Sequence, residues 1–238
     1  MNSYSVLAKY YDELMGDFDY DGYVAFVKNI VSGEGVDLCC GTGKIAIALA
    51  DSCKMTGVDL SQDMLSIAMT NSKKMGKKVL WVAESVDEFE PMHQVDFVTC
   101  VCDGFNYLDK IQLACTFDKI GNYVKSGGKL IFDISSAYKL TKILGDNVFC
   151  EDNEDVTYIW NNTLSEDESS VEMQLSFFEP VCKDTYRRVD EEHIQYVHHT
   201  HQINEILKDK WDYKVMDART MQEPTADSVR LVWIATRK

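Results

Sequence analysis

The chain of 238 residues has eight cysteines but no Cys-x-x-Cys pair; its nearest neighbours are Cys39-Cys40 and Cys100-Val101-Cys102. The ligand spacing of a thiolate zinc site is therefore missing. Several of these cysteines sit in apolar, strand-like runs, where a free thiol behaves as a small hydrophobe, and they read as reduced and structural. Long apolar runs are missing as well. No stretch approaches the ~20 residues that a membrane-spanning helix needs. The opening MNSYSVLAKYYDELMGDFDYDGY lacks the basic-then-apolar order of a signal peptide. Together these absences predict a cytoplasmic protein with no membrane partner and no metal.

Basic residues are scarce: 24 Lys and Arg stand against 39 Asp and Glu, for a net charge of −15. The imbalance is concentrated between Asp146 and Glu192, where 14 acids face only Lys183, Arg187 and Arg188. Such a surface repels phosphate backbones, which makes nucleic acid an unlikely partner. The acidic segment reads either as a solvated lobe or as a funnel for cationic substrates.

What is present is an ordinary globular composition, 45% hydrophobic and 26% charged, in a chain able to bury one substantial core and a small appended lobe. From residue 22 the pattern alternates. GYVAFVKNIV reads as a helix, GVDLCC as a strand and KIAIALADS as a helix. KMTGVDL reads as a strand, and SQDMLSIAMTNSKKMG as a helix with Ser61 as N-cap and Gly76 at its close. KVLWVAE and VDFVTCVCD follow as strands, then KIQLACTFDKIGNYVKSGG as a helix and KLIFDIS as a strand. Apolar strands alternating with helices imply a doubly wound, Rossmann-like α/β fold with a mostly parallel sheet. Ligands of such folds bind at the carboxyl ends of the strands. Here that edge holds Asp37 to Gly43, Asp59, Glu84-Ser85, Asp103 and Asp133 to Ser135.

Past residue 145 the rhythm becomes antiparallel. VFCED, VTYIWNNTL, SVEMQLSFFEP and DTYRRVDEEHIQYVHH read as strands, with in-out alternation at Val171, Met173, Leu175 and Phe177. THQINEILKDK returns to helix, and YKVMDART and SVRLVWIATRK supply two last strands. The expected division is therefore residues 1–145 with 200–238 as one domain, and residues 146–199 as a small antiparallel β insert acting as a lid.

The stretch VDLCCGTGKIAIAL admits two nucleotide classes. Gly41-Thr42-Gly43-Lys44-Ile45-Ala46 fits a dinucleotide fingerprint, with Asp59 18 residues past the first glycine. An NAD-dependent oxidoreductase is one alternative, and a non-catalytic nucleotide-binding protein another. Against pyrophosphate stands Asp37, an anion just ahead of the loop, which suits a ligand bearing an ammonium group better. No hydride-transfer pattern follows downstream.

Asp37-Leu38-Cys39-Cys40-Gly41-Thr42-Gly43 resembles the glycine motif of class I S-adenosylmethionine-dependent methyltransferases, except at Cys39. TGVDLSQDML resembles their second motif, CVCDGFNYL their fourth-strand segment, and YYDELM and EEHIQY the opening and lid segments of small bacterial members with a β-rich insert. The resemblance spans essentially the whole chain. It implies methyl transfer from S-adenosylmethionine, with S-adenosylhomocysteine as product, to a small-molecule acceptor. It implies that Asp59 accepts both ribose hydroxyls. It further implies that Gly41 and Gly43 open the backbone to the methionine tail, with Asp37 near its ammonium. Leu60 and Met64 fall at the cofactor, Met64 packing either an adenine face or the core. Asp103, Asn106 and Tyr107 would lie beside the tail and the sulfonium, where an electron-rich tyrosine face suits a cation. Tyr4, Tyr10 and Tyr11 offer the same near the methyl group or else pack inward.

Two departures stand out. Cys39 replaces a small residue, so the loop is expected to stand slightly off its ligand. Ser85 stands where an acid commonly faces the adenine amino group, a task left to Glu84, a backbone carbonyl or water. In the lid, His193 and Gln195 match an H-x-Q element and are candidates to take a proton, as is Tyr196, where related proteins often carry arginine. His198, His199 and His201 read as solvated histidines at a strand-to-helix junction in preference to a metal set.

Overall fold

The computed structural model describes residues 6–16, 18–153, 155–183 and 185–238; Tyr4 lies outside them. Helices α1 (Leu7–Leu14) and α2 (Tyr20–Lys28) precede the first strand. Then β1 (Gly33–Leu38), α3 (Lys44–Leu49), β2 (Cys53–Asp59), α4 (Gln62–Lys74), β3 (Val79–Ala83) and β4 (Val95–Cys100) alternate. A 3-10 turn, Gly104–Tyr107, leads to α5 (Lys110–Tyr123) and β5 (Val124–Ser135). After the second sheet, α6 (Thr200–Leu207) returns the chain to β10 (Trp211–Asp217) and β11 (Arg230–Arg237).

The seven strands lie in the order β10-β11-β5-β4-β1-β2-β3. β11 runs antiparallel to both of its neighbours, and the other pairings are parallel. β1 sits between β2 and β4, so the crossovers diverge there and open a crevice at the strands' carboxyl ends. The core beneath is aromatic: Phe132 stacks on Trp233 at 5.2 Å, and Phe105 meets Phe117 at 5.0 Å and Phe132 at 5.3 Å. Phe105 is fully buried. At roughly 2–3 kcal/mol for a buried aromatic side chain, it anchors the short turn that carries Asn106 and Tyr107.

Local boundaries follow local chemistry. Ser61 caps α4 by accepting from the Met64 amide at 3.2 Å, and Asp109 with Gln112 forms a capping box on α5. The sequence pattern extends α5 to residue 128, but the helix stops at Tyr123. Val124 is already extended, and Gly127 takes a φ of +79°, which suits glycine. Between Tyr138 and Gly145 the chain makes a π-helix, Lys139–Leu144, that periodicity did not reveal.

The second sheet is antiparallel, in the order β6 (Val148–Asp152), β7 (Thr157–Leu164), β8 (Ser170–Cys182) and β9 (Thr185–Tyr196). Val171, Met173, Leu175 and Phe177 share its inner face with Tyr10 of α1 and with Leu140 and Leu144 of the π-helix. Polar contacts fasten α1 to the same sheet. Glu179 accepts from Lys9 Nζ at 2.8 Å and from the Tyr10 hydroxyl at 2.9 Å. Glu191 Oε1 accepts from the backbone amides of Val6 and Leu7 at 2.6 and 3.2 Å. The first helix and the insert therefore flank one side of the crevice together.

Candidate active site

A cleft of about 1300 Å³ opens between the strand ends and the second sheet. That is enough for a nucleotide and a second small molecule side by side. Its base is the loop after β1. Gly41 has a φ of +53°, a left-handed conformation that favours glycine, and a β-carbon there would meet little but Tyr11 Cε1 at 3.9 Å. Gly43 is constrained differently: a β-carbon would strike Trp81 at 2.5 Å and Ala68 at 3.0 Å. Gly43 thus permits close packing of α3 on α4 and β3, and it is absent from the cleft wall.

Asp59, at the end of β2, ties this loop in place. Its Oδ2 accepts from the Gly41 amide at 2.7 Å and its Oδ1 from the Ser61 amide at 2.8 Å. Burial pushes its carboxyl above the usual range, against the pull of these two bonds. Leu60, Met64, Glu84 and Ser85 line the wall beside it. Leu60 is exposed, whereas Met64 is buried in the wall. The Ser85 hydroxyl is engaged with the Asp87 carboxylate.

Across the crevice, Cys102 and Asp103 take consecutive left-handed conformations, φ +63° and +55°. Such residues cost roughly 1–2 kcal/mol each and persist only when the surroundings hold them. Asp133 holds both, accepting from the Cys102 amide at 3.2 Å and the Asp103 amide at 2.8 Å. Arg230 Nη1 bridges Asp103 at 2.8 Å and Asp133 at 2.6 Å. Ser135 Oγ donates to Asp103 at 2.6 Å, and Lys139 Nζ lies 4.0 Å from it. Burial raises the Asp103 carboxyl, but Arg230 and Lys139 outweigh it and hold the group well below the usual carboxylate range. The wall as a whole carries six carboxylates, Asp59, Glu84 and Asp103 among them, against Lys139, Arg219 and Arg230. That balance favours a cationic ligand.

The second sheet contributes His193 and Gln195, which are adjacent inward positions of β9 and both buried. The His193 ring meets Tyr107 edge-on at 6.1 Å, and its Nε2 lies 3.6 Å from Glu191 Oε2. Burial lifts the Glu191 carboxyl, but hydrogen bonding from His193 and from the Val6 and Leu7 amides brings it below its ordinary value. Tyr11 of α1 also reaches the wall. Burial raises its phenol well above the usual range, so it stays protonated at neutral pH.

Several expected site residues lie elsewhere. Asp37 is 2% exposed and lines a small recess beside the loop, which shares Tyr11, Cys39, Gly41 and Cys102 with the cleft wall. Its oxygens accept from Thr99 Oγ1 at 2.7 Å and from the Ala46 amide at 3.1 Å, and burial pushes its pKa up to about 7. It braces β1 against β4 and α3. Asn106 is fully buried and away from the cleft wall. Its amide donates to the carbonyls of Ser135 at 3.3 Å and Tyr196 at 3.0 Å, and accepts from the Ser135 amide at 2.9 Å. It clasps the 3-10 turn to β5 and the end of β9. Tyr196 falls on the opposite face of β9 from His193 and Gln195. Tyr10 packs into the second sheet's apolar cluster.

Cys39 does line the cleft, with a φ of +51°. Its bulk is absorbed because residue 104 is glycine: a β-carbon at Gly104 would come within 2.6 Å of Cys39 Cβ. His198 is buried with Nε2 3.0 Å from the Leu108 carbonyl, and burial lowers its basicity. Gln202 Oε1 accepts from the His199 amide at 3.1 Å, and the His199 ring stacks on His201 at 5.7 Å. Sequence reasoning missed Arg230, Lys139, Trp160 and Glu191. Strand alternation would have exposed Trp160; the others depend on how distant segments meet.

A family model described as a methyltransferase domain matches residues 36–128. The chain is 34% identical to YqeM of Bacillus subtilis, a protein named as a candidate methyltransferase, over 98% of this chain and 97% of that one. It is 31% identical to an S-adenosylmethionine-dependent methyltransferase from Clostridium acetobutylicum, with a TM-score of 0.88 and 98% of each chain covered. An amino pentose methyltransferase from Micromonospora echinaspora, solved with S-adenosylmethionine bound, has a TM-score of 0.76 over 100% of this chain and 99% of its own. At 15% identity that likeness concerns the fold.

Proposed function

We propose, for a chain that belongs to the S-adenosylmethionine-dependent methyltransferases, that the crevice around Asp59 holds the cofactor and the lid side holds a small-molecule methyl acceptor. The observation that carries this reading is Asp59: one carboxylate oxygen fixes the Gly41 amide and the other the Ser61 amide. Each oxygen keeps acceptor capacity for a pair of vicinal ribose hydroxyls. The residues around it fit the rest of the cofactor. Leu60, Met64 and Val86 offer apolar contact for a base, and the excess of carboxylates suits a molecule carrying both an ammonium and a sulfonium.

S-adenosylmethionine supplies an already activated methyl group, so the protein's task is alignment and exclusion of water. Tyr11 and Tyr107 both line the cleft, and their ring faces favour positive charge. His193, braced by Glu191, is placed to take a proton from an acceptor that must lose one. Asp37 supports the loop, and Asp103, neutralised by Arg230, shapes the opposite wall.

The expectation is tested by following S-adenosylhomocysteine release with cell-extract fractions as acceptors. Release with the low-molecular-mass fraction supports the reading; release with RNA alone contradicts it. A second expectation concerns Ser85. Because its hydroxyl is already spent on Asp87, Ser85→Ala is expected to change cofactor affinity less than about threefold, under 1 kcal/mol. Glu84→Gln should cause the larger loss, both read by calorimetric titration. A loss of tenfold or more in Ser85→Ala would reverse those roles.

A further inference from the structure

We infer that Asp12 is a positioning residue: it clamps α1 onto the glycine loop and so seats the Tyr11 ring against the sulfonium of S-adenosylmethionine. The inference rests on the methyltransferase reading and adds a residue to it. Leu7, Tyr11 and Leu14 of α1 all line the cleft, at the spacing of one helix face. Glu179 and Glu191 fasten this helix to the second sheet. Asp12 fastens it to the first. Its Oδ1 accepts from Thr42 Oγ1 at 2.7 Å and lies 3.4 Å from Lys44 Nζ. Thr42 is buried, and the Lys44 ammonium also stands over the Tyr20 ring of α2, 4.3 Å from its centroid.

The glycine loop therefore divides its work by position. Gly41 lines the cleft, whereas Thr42 and Lys44 are absent from the cleft wall and engage α1. Tyr11 abuts the same loop: a β-carbon on Gly41 would come within 3.9 Å of Tyr11 Cε1. Successive side chains of a helix point about 100° apart, so Asp12 can grip the loop while its neighbour Tyr11 faces the cleft. Without the clamp α1 keeps its ties to the second sheet, but the Tyr11 ring loses its fixed distance from Gly41. A displaced ring costs a cation more than a neutral ligand, because the attraction acts only near the ring face. S-adenosylmethionine carries a sulfonium at that point, and S-adenosylhomocysteine a neutral sulfur.

The test is calorimetric titration of the full chain, parent and variants, with S-adenosylmethionine and S-adenosylhomocysteine. Asp12→Ala is expected to weaken S-adenosylmethionine about tenfold and S-adenosylhomocysteine about threefold or less. Asp12→Asn keeps an oxygen for the Thr42 hydroxyl and should hold S-adenosylmethionine within about threefold of the parent. In a Tyr11→Leu background, adding Asp12→Ala should cost less than about twofold more, because the ring it seats is gone. The Asp12 side chain is 41% exposed, so ligand-free Asp12→Ala should melt within about 2 °C of the parent. Equal losses of both nucleotides in Asp12→Ala, or independent losses in the double variant, would overturn the inference. So would an Asp12→Ala that binds S-adenosylmethionine within about twofold of the parent, or an Asp12→Asn as weak as the alanine variant. Should Tyr11→Leu fail to fold, the ratio of the two losses in Asp12→Ala decides. If the parent binds neither nucleotide, the methyltransferase reading falls, and this inference with it.

Discussion

Replacing Arg230 with methionine is expected to destabilise the fold by about 3–5 kcal/mol, because it leaves Asp103 and Asp133 facing each other with Lys139, 4.0 Å from Asp103, as the nearby cation. Asp103 and Asp133 both bond to the same guanidinium nitrogen, and Asp133 is completely buried. Asp133 accepts from the Cys102 and Asp103 amides, and those two residues sit in left-handed conformations. The loss should therefore appear in the cleft wall as well as in global stability.

The pH dependence gives the sign. In the parent, Asp103 titrates in the folded state below its unfolded value, so its contribution is present above the unfolded pKa and is lost as pH falls through the folded one. In Arg230→Met both acids lose their guanidinium, so the folded pKa of Asp103 rises and that of Asp133, which burial already holds above the usual carboxylate range, rises further. Their contribution is then best at low pH and declines as pH rises. The gap between parent and variant should widen from about pH 4 to pH 7, read by urea denaturation at several pH values. A gap that is constant or that narrows would contradict the ion bridge as the cause.

Asp59→Ala is expected to weaken S-adenosylmethionine binding about 100-fold, near 2.7 kcal/mol. Two effects combine. The variant loses the carboxylate proposed to receive the ribose hydroxyls, with charge-assisted bonds worth about 1.5–3 kcal/mol. It also frees the Gly41 and Ser61 amides, so the loop is no longer pre-ordered. Asp59→Asn retains one acceptor oxygen and should fall between parent and alanine. Calorimetry on the folded variants checks this, with thermal melting used to show that the core survives. An affinity within threefold of the parent would place the ribose elsewhere.

The parallel sheet was legible from the sequence because its strands are short apolar runs between helices, and the insert because β8 alternates strictly from Val171 to Phe177. The edge rule for doubly wound sheets also drew attention to Asp59, Glu84, Ser85 and Asp103, and all four line the cleft. Sequence alone does not show which partners a residue serves where one residue type has two uses. Asp37 stands at the strand end where a ligand-facing acid is expected, yet Thr99 and the Ala46 amide use its oxygens. Gly43 belongs to the same motif as Gly41, but Trp81 explains it. Asn106 was read toward the ligand because it belongs to CVCDGFNYL, which resembles the family's fourth-strand segment. In a tight turn adjacent side chains diverge, and Asn106 turns inward to clasp Ser135 and Tyr196. Arg230 was invisible because its partners lie 127 and 97 residues away in the chain.

The most direct measurement is calorimetric titration of the purified full chain with S-adenosylmethionine, S-adenosylhomocysteine and NADH in parallel. The account predicts that both sulfur nucleotides bind at one site and compete, and that NADH does not bind. Binding of NADH with no binding of either sulfur nucleotide would contradict it and return the glycine loop after β1 to the dinucleotide class.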